Sequence, residues 1–364
     1  MVRPNPVFKV IIPRINTQGK IPAMEYLGCG YDILYGNPLA DYGSLIDPGY
    51  RNPIISFKLI QHKGKSGRGL KSARISGAWV RPLVSCRRSS EKTIVTSMSE
   101  YQEALAVDSE VGAGSIDDSV KFSLSAGYAE SAGFHLSTSR RLSIERNYCF
   151  LLESALPING NIFKKSFKAA VSKLQPNFKA AAVECNTIRY AMNNDHEDCK
   201  RYIRPWMDLF ELFGTHFSYN IKIGGRLTEI TQEEVHNSEA NSQGDVRAGI
   251  DGQVIKGAGQ ATAEVKNSNQ SEHGNVTNVG FTYVNVLGGS PAGSADDEDE
   301  YLKWVQSIAD NPMPIRSQFA PISKLFKSTA LKDAYDDAME FYMELKGVKG
   351  LNAQTKETHQ KNQY

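Results

Sequence analysis

The feature that most constrains the fold is a five-residue stretch, Phe213-Gly214-Thr215-His216-Phe217. Residues 202–212, which directly precede this stretch, carry apolar side chains every three to four positions, which predicts an amphipathic helix. This helix should end at Gly214, because glycine tolerates the left-handed backbone of a helix cap. Apolar and polar residues then alternate over 217–223, as they do in a strand. The stretch therefore predicts a helix, a tight exit and a long strand.

Two adjacent glycines, Gly224 and Gly225, lie farther along the same predicted strand. Glycine weakens a strand because it has no side chain to pack and loses more backbone freedom than other residues. A pair of glycines suits a strand that bends sharply or that another backbone approaches closely. We therefore predict a bend built into this strand.

An aromatic residue, Gly-Thr-His-Phe, six further residues and Gly-Gly resemble the signature of the membrane attack complex/perforin (MACPF) domain. Two early groups of residues resemble the opening of apicomplexan perforin-like proteins: Gly28-Cys29-Gly30-Tyr31-Asp32 to Gly36-Asn37-Pro38, and Asp47-Pro48-Gly49-Tyr50-Arg51. Later groups resemble the end of a MACPF domain: Gly288-Gly289-Ser290-Pro291, Trp304, Asn311-Pro312 and Pro314-Ile315. The resemblance covers roughly residues 25–346.

The resemblance implies an α+β, MACPF/CDC-like fold with a bent, four-stranded antiparallel sheet. In that family, two helical clusters flank the sheet, and each converts into a transmembrane β-hairpin. By order along the chain, the clusters occupy about residues 99–140 and 232–278. The expected domain spans 25–346, between a lead-in over 1–24 and a polar tail over 347–364.

The residues of both segments also show a pattern of their own. Small residues abound, and apolar residues alternate with polar ones, so each strand would offer one face to lipid and one to water. Ordinary surface helices and loops are the alternative structural interpretation. The candidate membrane-inserting residues are Val120, Phe122, Leu124, Ala126, Tyr128, Phe134 and Leu136 in the first segment, and Val246, Ala248, Ile250, Ala261, Ala263 and Val265 in the second.

Segment length is sufficient for crossing a membrane. The first segment would supply two strands of ~20 residues, each ~66 Å long at ~3.3 Å per residue. A tilted strand crosses the bilayer core with ~9–11 residues. One hairpin alone would leave unpaired edges in lipid, so many copies would have to pair into an arc or ring.

Several local patterns give further expectations. Ser99 and Gln102 have capping-box spacing at the start of a helix, and residues 232–236 read as a helical start. We expect strands over 142–156 and 279–287, a turn at 311–315 and a closing helix over 327–346, among other elements.

Composition excludes some classes of function. With 40% hydrophobic and 23% charged residues the chain is of the globular class, and a net charge of +2 gives no general attraction to nucleic acid. No apolar run reaches the length of a transmembrane helix. The start lacks the apolar core of a signal peptide, so the chain is either cytosolic or a trimmed, mature form.

The five cysteines suggest neither a zinc nor a redox site, because no pair has CxxC spacing. Cys185 and Cys199 bracket a polar loop and could form a disulfide if the protein is secreted. The run His196-Glu197-Asp198-Cys199 holds metal-ligand types, but a solvated loop is the favoured interpretation. We expect no metal and no cofactor.

No catalytic set is apparent among the seven histidines. His216 is the sharpest candidate, yet an imidazole that ties the helix-to-strand junction by hydrogen bonds is the favoured role. We therefore expect no enzyme. A screen for turnover that depends on His216 would test this expectation.

The resemblance implies a secreted, perforin-like, pore-forming protein that acts on a lipid membrane as a homo-oligomer. Apicomplexan relatives release such proteins from a secretory organelle, the microneme, for parasite egress or host-cell traversal. They also carry a β-rich, C-terminal membrane-binding domain, which we expect as a separate part. The alternative is a MACPF domain that oligomerises or adheres without lysis. Charges that interrupt the second alternating pattern favour it: Asp251, Glu264 and Lys266.

Overall fold

The computed structural model describes residues 22–37, 47, 49–61, 73–111, 140–157, 162–192, 196–236, 276–291 and 297–347. All candidate membrane-inserting residues lie outside these ranges, within 120–136 and 246–265. The same holds for most of the predicted lead-in and tail. The two predicted segments are therefore described only at their ends, over 99–111 and 140 in the first and over 232–236 and 276–278 in the second.

Four long antiparallel strands form the centre of the main sheet, in the order β6-β8-β10-β11. They are β6 (Trp79–Val95), β8 (Arg140–Ala155), β10 (His216–His236) and β11 (Val276–Leu287). Four shorter strands complete an eight-stranded sheet: β1 (Cys29–Tyr31), β2 (Tyr50–Pro53), β7 (Ser109–Val111) and β12 (Met313–Pro321). The predicted four-stranded sheet thus corresponds to the long strands alone.

Strand β10 organises this sheet because it has a neighbour on both sides over most of its length. On one side β8 pairs with residues 220–234 of β10. On the other side β12 pairs with residues 216–224, and β11 takes over at Arg226. The change of neighbour falls at the predicted bend, Gly224-Gly225.

Two small sheets and seven helices surround the main sheet in the described part of the chain. The small sheets pair β3 (Ile55–Ser56) with β9 (Ile162–Phe163) and β4 (Lys58–Gln61) with β5 (Ala73–Ser76). The helices are α1 (Met98–Ala106), α2 (Lys165–Val171), α3 (Phe178–Glu184), α4 (Thr187–Ala191), α5 (Arg204–Phe213), α6 (Glu298–Ser307) and α7 (Thr329–Leu345). A π-helical turn, Cys199–Ile203, leads into α5. No helix among the described residues is both long and apolar enough to cross a bilayer.

The larger hydrophobic core lies between the helices and the first half of β10. Trp206 and Phe210 of α5 are fully buried, and Phe210 packs against two aromatic rings of α7. Those rings belong to Tyr335 and Tyr342. Ile221 of β10 belongs to the same core. The apolar period of residues 202–212 therefore reflects a helix with one buried face, as predicted.

A second, smaller core lies on the other side of β10, under α6. Trp304 and Ile308 are buried there against Cys149 and Leu151 of β8 and Leu227 of β10. Since successive strand side chains point to opposite faces, Leu227 and its neighbour Arg226 face different environments. Both faces of the sheet therefore carry an apolar core, and the face of Arg226 buries charged side chains as well.

Three local expectations differ from the structure. Ser97 caps α1, not Ser99: its hydroxyl accepts a hydrogen bond from the Glu100 amide at 3.3 Å, and Thr96 N–H donates to the Glu100 carboxylate at 2.6 Å. Residues 232–236 continue β10 because β11 pairs with all of them and β8 pairs with 232–234, which overrides a local helical tendency. Of the expected turn 311–315, the residues from Met313 onward belong to β12 for the same reason.

Two disulfides join described cysteines. Cys185 is bonded to Cys199, with Cα atoms 5.3 Å apart. Cys86 of β6 is bonded to Cys149 of β8, at positions that are register partners. Cys29 is buried and carries a free thiol. The second bond was not expected, because its cysteines are 63 residues apart and only strand pairing brings them together.

Replacing both Cys185 and Cys199 with alanine should lower the free energy of unfolding by about 3 kcal/mol, because the bond closes a short loop in the unfolded chain. Urea unfolding followed by circular dichroism measures this change. Cys29→Ala is the matched control, since it removes a buried cysteine without opening a loop. An equal loss in both variants would contradict the loop-closure explanation.

Candidate functional site

The helix-to-strand junction begins at Gly214, directly after α5. Its φ of 72° lies in the region that favours glycine, and its N–H donates to the Phe210 carbonyl at 2.7 Å. A side chain at Gly214 would overlap the backbone of Tyr31 in β1. Glycine is therefore required twice here, for the conformation and for the close approach of a second chain segment.

Thr215 connects three parts of the chain through buried hydrogen bonds. Its N–H donates to the Tyr31 carbonyl at 3.0 Å, and its hydroxyl accepts from Ile33 N–H at 3.2 Å. Its carbonyl accepts from the Tyr335 hydroxyl of α7 at 2.8 Å and from Ile322 N–H at 3.1 Å. The first strand, the closing helix and the end of β12 thus meet at this residue.

His216 is a buried, neutral residue in this junction. Its Nδ1 lies 2.9 Å from the Thr215 hydroxyl oxygen. Burial, together with the nearby Lys324 charge, lowers the pKa of His216 to about 3. No group of three or more histidine, cysteine or acidic side chains among the described residues could hold a metal ion. The geometry gives His216 a hydrogen-bonding role within the junction.

Phe217 is the second residue of β10. It is the register partner of Gly30 in β1 and of Ala320 in β12, and its side chain is buried. A side chain at Gly30 would overlap the carbonyl oxygen of Phe213. The early glycine and the signature stretch are therefore packed backbone to backbone.

Gly224 lies where β10 changes its neighbour. The register with β8 shifts between Ile223 and Gly224, so the strand is irregular at this point. A side chain at Gly224 would overlap the carbonyl oxygen of Cys149 in β8. Gly288, at the end of β11, has a φ of 81° and packs against the backbone of Gly224 in the same way. The prediction that another backbone approaches this glycine pair is supported by the geometry.

Gly225 faces helix α6. A Cβ atom there would lie 2.5 Å from Ile308 Cδ1 and 3.0 Å from the Trp304 ring. The Trp304 indole N–H donates to the Gly288 carbonyl at 2.9 Å, which fixes the ring over the bend. The missing side chain thus makes room for α6 to lie directly on the sheet.

A cluster of buried charges lies on the opposite side of the bend. Asp108, between α1 and β7, is 3% exposed, and its carboxylate lies 2.7 Å from Arg226 Nη1 and 3.2 Å from Arg146 Nε. The Tyr148 hydroxyl donates to Asp108 Oδ1 at 2.7 Å. Burial raises the pKa of Tyr148, and the Asp108 charge raises it further. Sequence reasoning missed this cluster.

One signal for the cluster was present in the sequence. Arg146 lies between Ile144 and Tyr148 on one face of a strand, and Arg226 follows the glycine pair. Arginine at a core-facing strand position requires a buried acidic partner. That pattern predicts a partner, but it does not single out Asp108 from the other acidic residues.

Both predicted membrane-inserting segments begin and end at the same end of the sheet. Val95 of β6 pairs with Leu142 of β8 just before the first segment and just after it. His236 of β10 pairs with Val276 of β11 just inside the two ends of the second segment. Leu142 also pairs with Gln232 of β10, which places all four strand ends side by side.

Alanine at either glycine of the bend should destabilise the fold, and Gly224 should be the more sensitive position. Gly224→Ala places a methyl group against a backbone carbonyl that cannot move alone, so we expect a loss of more than about 3 kcal/mol. Gly225→Ala meets the end of the Ile308 side chain, which can rotate, so we expect about 1–3 kcal/mol. Urea unfolding of both variants gives the comparison, and the reverse order would contradict the packing described here.

Acid should destabilise the fold through His216. The unfolded chain takes up a proton near pH 6.5, whereas folded His216 stays neutral until about pH 3. Stability is therefore complete above pH 6.5 and falls as the pH decreases toward 3, with a loss of about 2 kcal/mol between pH 7 and pH 5. His216→Gln, unfolded at the same pH values, should lack this part of the pH dependence. An identical pH profile for both proteins would contradict the prediction.

Comparison with known proteins identifies the family. Residues 15–352 match the model of the MAC/Perforin domain. The fold is similar to GNIP1Aa from Chromobacterium piscinae, with 15% identity, a TM-score of 0.49 and coverage of 91% of this chain and 57% of that one. It is also similar to a putative cell invasion protein with a MAC/Perforin domain from Bacteroides thetaiotaomicron. The identity is 15% and the TM-score is 0.47, with coverage of 91% of this chain and 63% of that one.

Astrotactin-2, a vertebrate perforin-like membrane protein involved in neuronal development, gives 11% identity and a TM-score of 0.37 over 88% of this chain and 99% of that one. The chain spans about three fifths of the first two structures. The α+β prediction with a large antiparallel sheet is confirmed by the family match and by the strand order. The chain belongs to the MAC/Perforin domain family, a family of pore-forming rather than enzymatic proteins.

Proposed function

We propose that this chain forms pores: copies assemble into an arc or ring on a target membrane, and each copy inserts two amphipathic β-hairpins. The hairpins come from the segments at about residues 99–140 and 232–278. The observation that carries the proposal is topological. Each segment connects two neighbouring antiparallel strands at the same end of the sheet, β6 to β8 and β10 to β11.

This connectivity suits hairpin extension. If β6 and β8 continue in their observed directions, the chain between Val95 and Leu142 becomes a longer antiparallel pair. The same continuation beyond His236 and Val276 lengthens the pair of β10 and β11. No strand has to change its neighbour, and the alternating residues of both segments then lie on one lipid-facing and one water-facing side.

Assembly requires that strand edges meet. In the described part of the chain, β6 pairs only with β8 and β11 pairs only with β10, so each long strand at the sheet border presents an unpaired edge. Unpaired edges are templates for pairing with another chain. We propose that β6 of one copy lies beside β11 of the next, which leaves no free edge in lipid once a ring closes.

We further propose a secreted protein that acts at a lipid membrane. Two disulfides among the described cysteines support an oxidising compartment. The resemblance of residues 28–38 and 47–51 to apicomplexan perforin-like proteins supports release from a micronemal secretory organelle and a role in egress or host-cell traversal. Neither nucleic acid nor a cofactor has a part in this proposal.

A second candidate function is oligomerisation or adhesion without lysis. Asp251, Glu264 and Lys266 favour it, because they interrupt the alternating pattern of the second segment. A charge on a lipid-facing position would oppose insertion. Rings that bind a planar bilayer without producing conductance would support this second function over pore formation.

A disulfide staple tests the pore mechanism directly. Glu110 of β7 and Gln318 of β12 are register partners, so cysteines at both positions can fix the start of the first segment to the body. We expect the oxidised variant to release dye from liposomes more than about tenfold more slowly, because its segment cannot leave, and a mild reductant should restore release.

The matched control is a staple between Thr231 and Thr282, register partners whose hydroxyl oxygens are 3.0 Å apart. This pair of β10 and β11 stays together in the extended hairpin, so release should continue. Mass spectrometry verifies each bond. Unchanged lysis under a complete Glu110–Gln318 staple would refute the insertion mechanism.

A further inference from the structure

The charge cluster around Asp108 lies where the first segment joins the sheet. Asp108 lies between α1 and β7, so it belongs to the first part of that segment. Its carboxylate contacts Arg146 of β8 and Arg226 of β10 at 3.2 and 2.7 Å. The partners thus belong to two central strands, whereas the acid belongs to the connecting segment.

The same arginines and strands also hold the backbone around Asp108. Arg146 Nη2 donates to the Ala104 carbonyl in α1 at 2.8 Å. The Ser317 N–H of β12 donates to the Asp108 carbonyl at 3.0 Å, and β7 then pairs with β12 in parallel. The end of α1, Asp108 and β7 are therefore fixed to the sheet as one unit.

Extension of the first hairpin requires the end of α1, Asp108 and β7 to separate from the sheet. The pairing of β6 with β8 ends at Val95, and two residues later the chain turns into α1. For residues 96–111 to continue β6 as a strand, Asp108 must separate from Arg146 and Arg226. Both arginines stay on strands that keep their place during extension.

We propose that Asp108 is a latch that holds the first segment on the sheet before insertion. A buried ion pair adds little net stability compared with apolar packing, and its best-attested use is to fix one arrangement among several. Loss of one partner, in contrast, leaves the other charges buried and uncompensated. Release of α1 and β7 exposes the arginines to water, so the carboxylate is required only in the closed form.

This inference rests on the proposed function, because release serves insertion, but the latch can be measured without a membrane. In Asp108→Asn, hydrogen–deuterium exchange of amides 98–111 should accelerate by roughly 100-fold over the wild-type protein in solution. Amides of α5 should not show a comparable change. The liposome assay should show faster dye release from the same variant.

Asp32→Asn is the matched control. Asp32 is equally buried and contacts Arg51 at 3.5 Å and the Tyr342 hydroxyl at 2.7 Å, away from α1 and β7. Its loss should destabilise the fold without selective exchange over 98–111. If both variants accelerate these amides equally, or if Asp108→Asn leaves them unchanged, the latch is overturned.

If Asp108→Asn does not fold, the same exchange experiment on Arg316→Gln still tests the latch. Arg316 lies at the rim of the cluster, with its side chain 32% exposed and its Nε 3.9 Å from Asp108 Oδ1. We expect a selective acceleration over 98–111 of roughly twofold to fivefold, and no acceleration would overturn the latch. Absence of leakage from every variant and the wild type would overturn pore formation alone, since the exchange experiment contains no lipid.

Discussion

The close approach of the β10 backbone to its neighbours is the constraint on which the rest of the structure depends. Glycine allows contacts that no side chain would permit, at Gly214 just before the strand against β1 and at Gly224 within it against β8. At Gly224-Gly225 the strand exchanges β12 for β11 while β8 continues on its other side. One strand thereby joins the helical end of the domain to the end from which both predicted segments leave.

The two ends of the domain differ in the charges that they bury. Around α5 and α7, aromatic side chains such as Trp206 and Tyr335 form an apolar core, which suits a body that keeps its arrangement. At the other end, α1 contributes Tyr101 and Ala104 to the same core, and Asp108 behind it also forms buried ion pairs with Arg146 and Arg226. Water can solvate these charges when they separate, which suits a part that we propose must move.

Local sequence patterns predicted the elements that depend on neighbouring residues. The end of α5 at Gly214 and the strand after it follow from periodicity and glycine conformation, and the structure has both. The prediction was wrong where strand pairing decides the secondary structure. Residues 232–236 form a strand because β11 pairs with all of them and β8 pairs with 232–234. The cap of α1 at Ser97 lies two residues from the expected position, since several nearby residue types can cap a helix.

The sequence by itself determined the family, the helix-to-strand junction and the need for close backbone approach at the glycine pair, because each depends on adjacent residues whose conformational limits are known. Only the tertiary structure decided the Cys86–Cys149 bond, the packing of Trp304 against Gly225 and the choice of Asp108 as the partner of the buried arginines. These contacts join residues far apart in the chain, and strand register brings them together. The glycine pair illustrates both contributions. Its presence in the sequence predicted that another backbone approaches closely, and the fold decided which backbone this is.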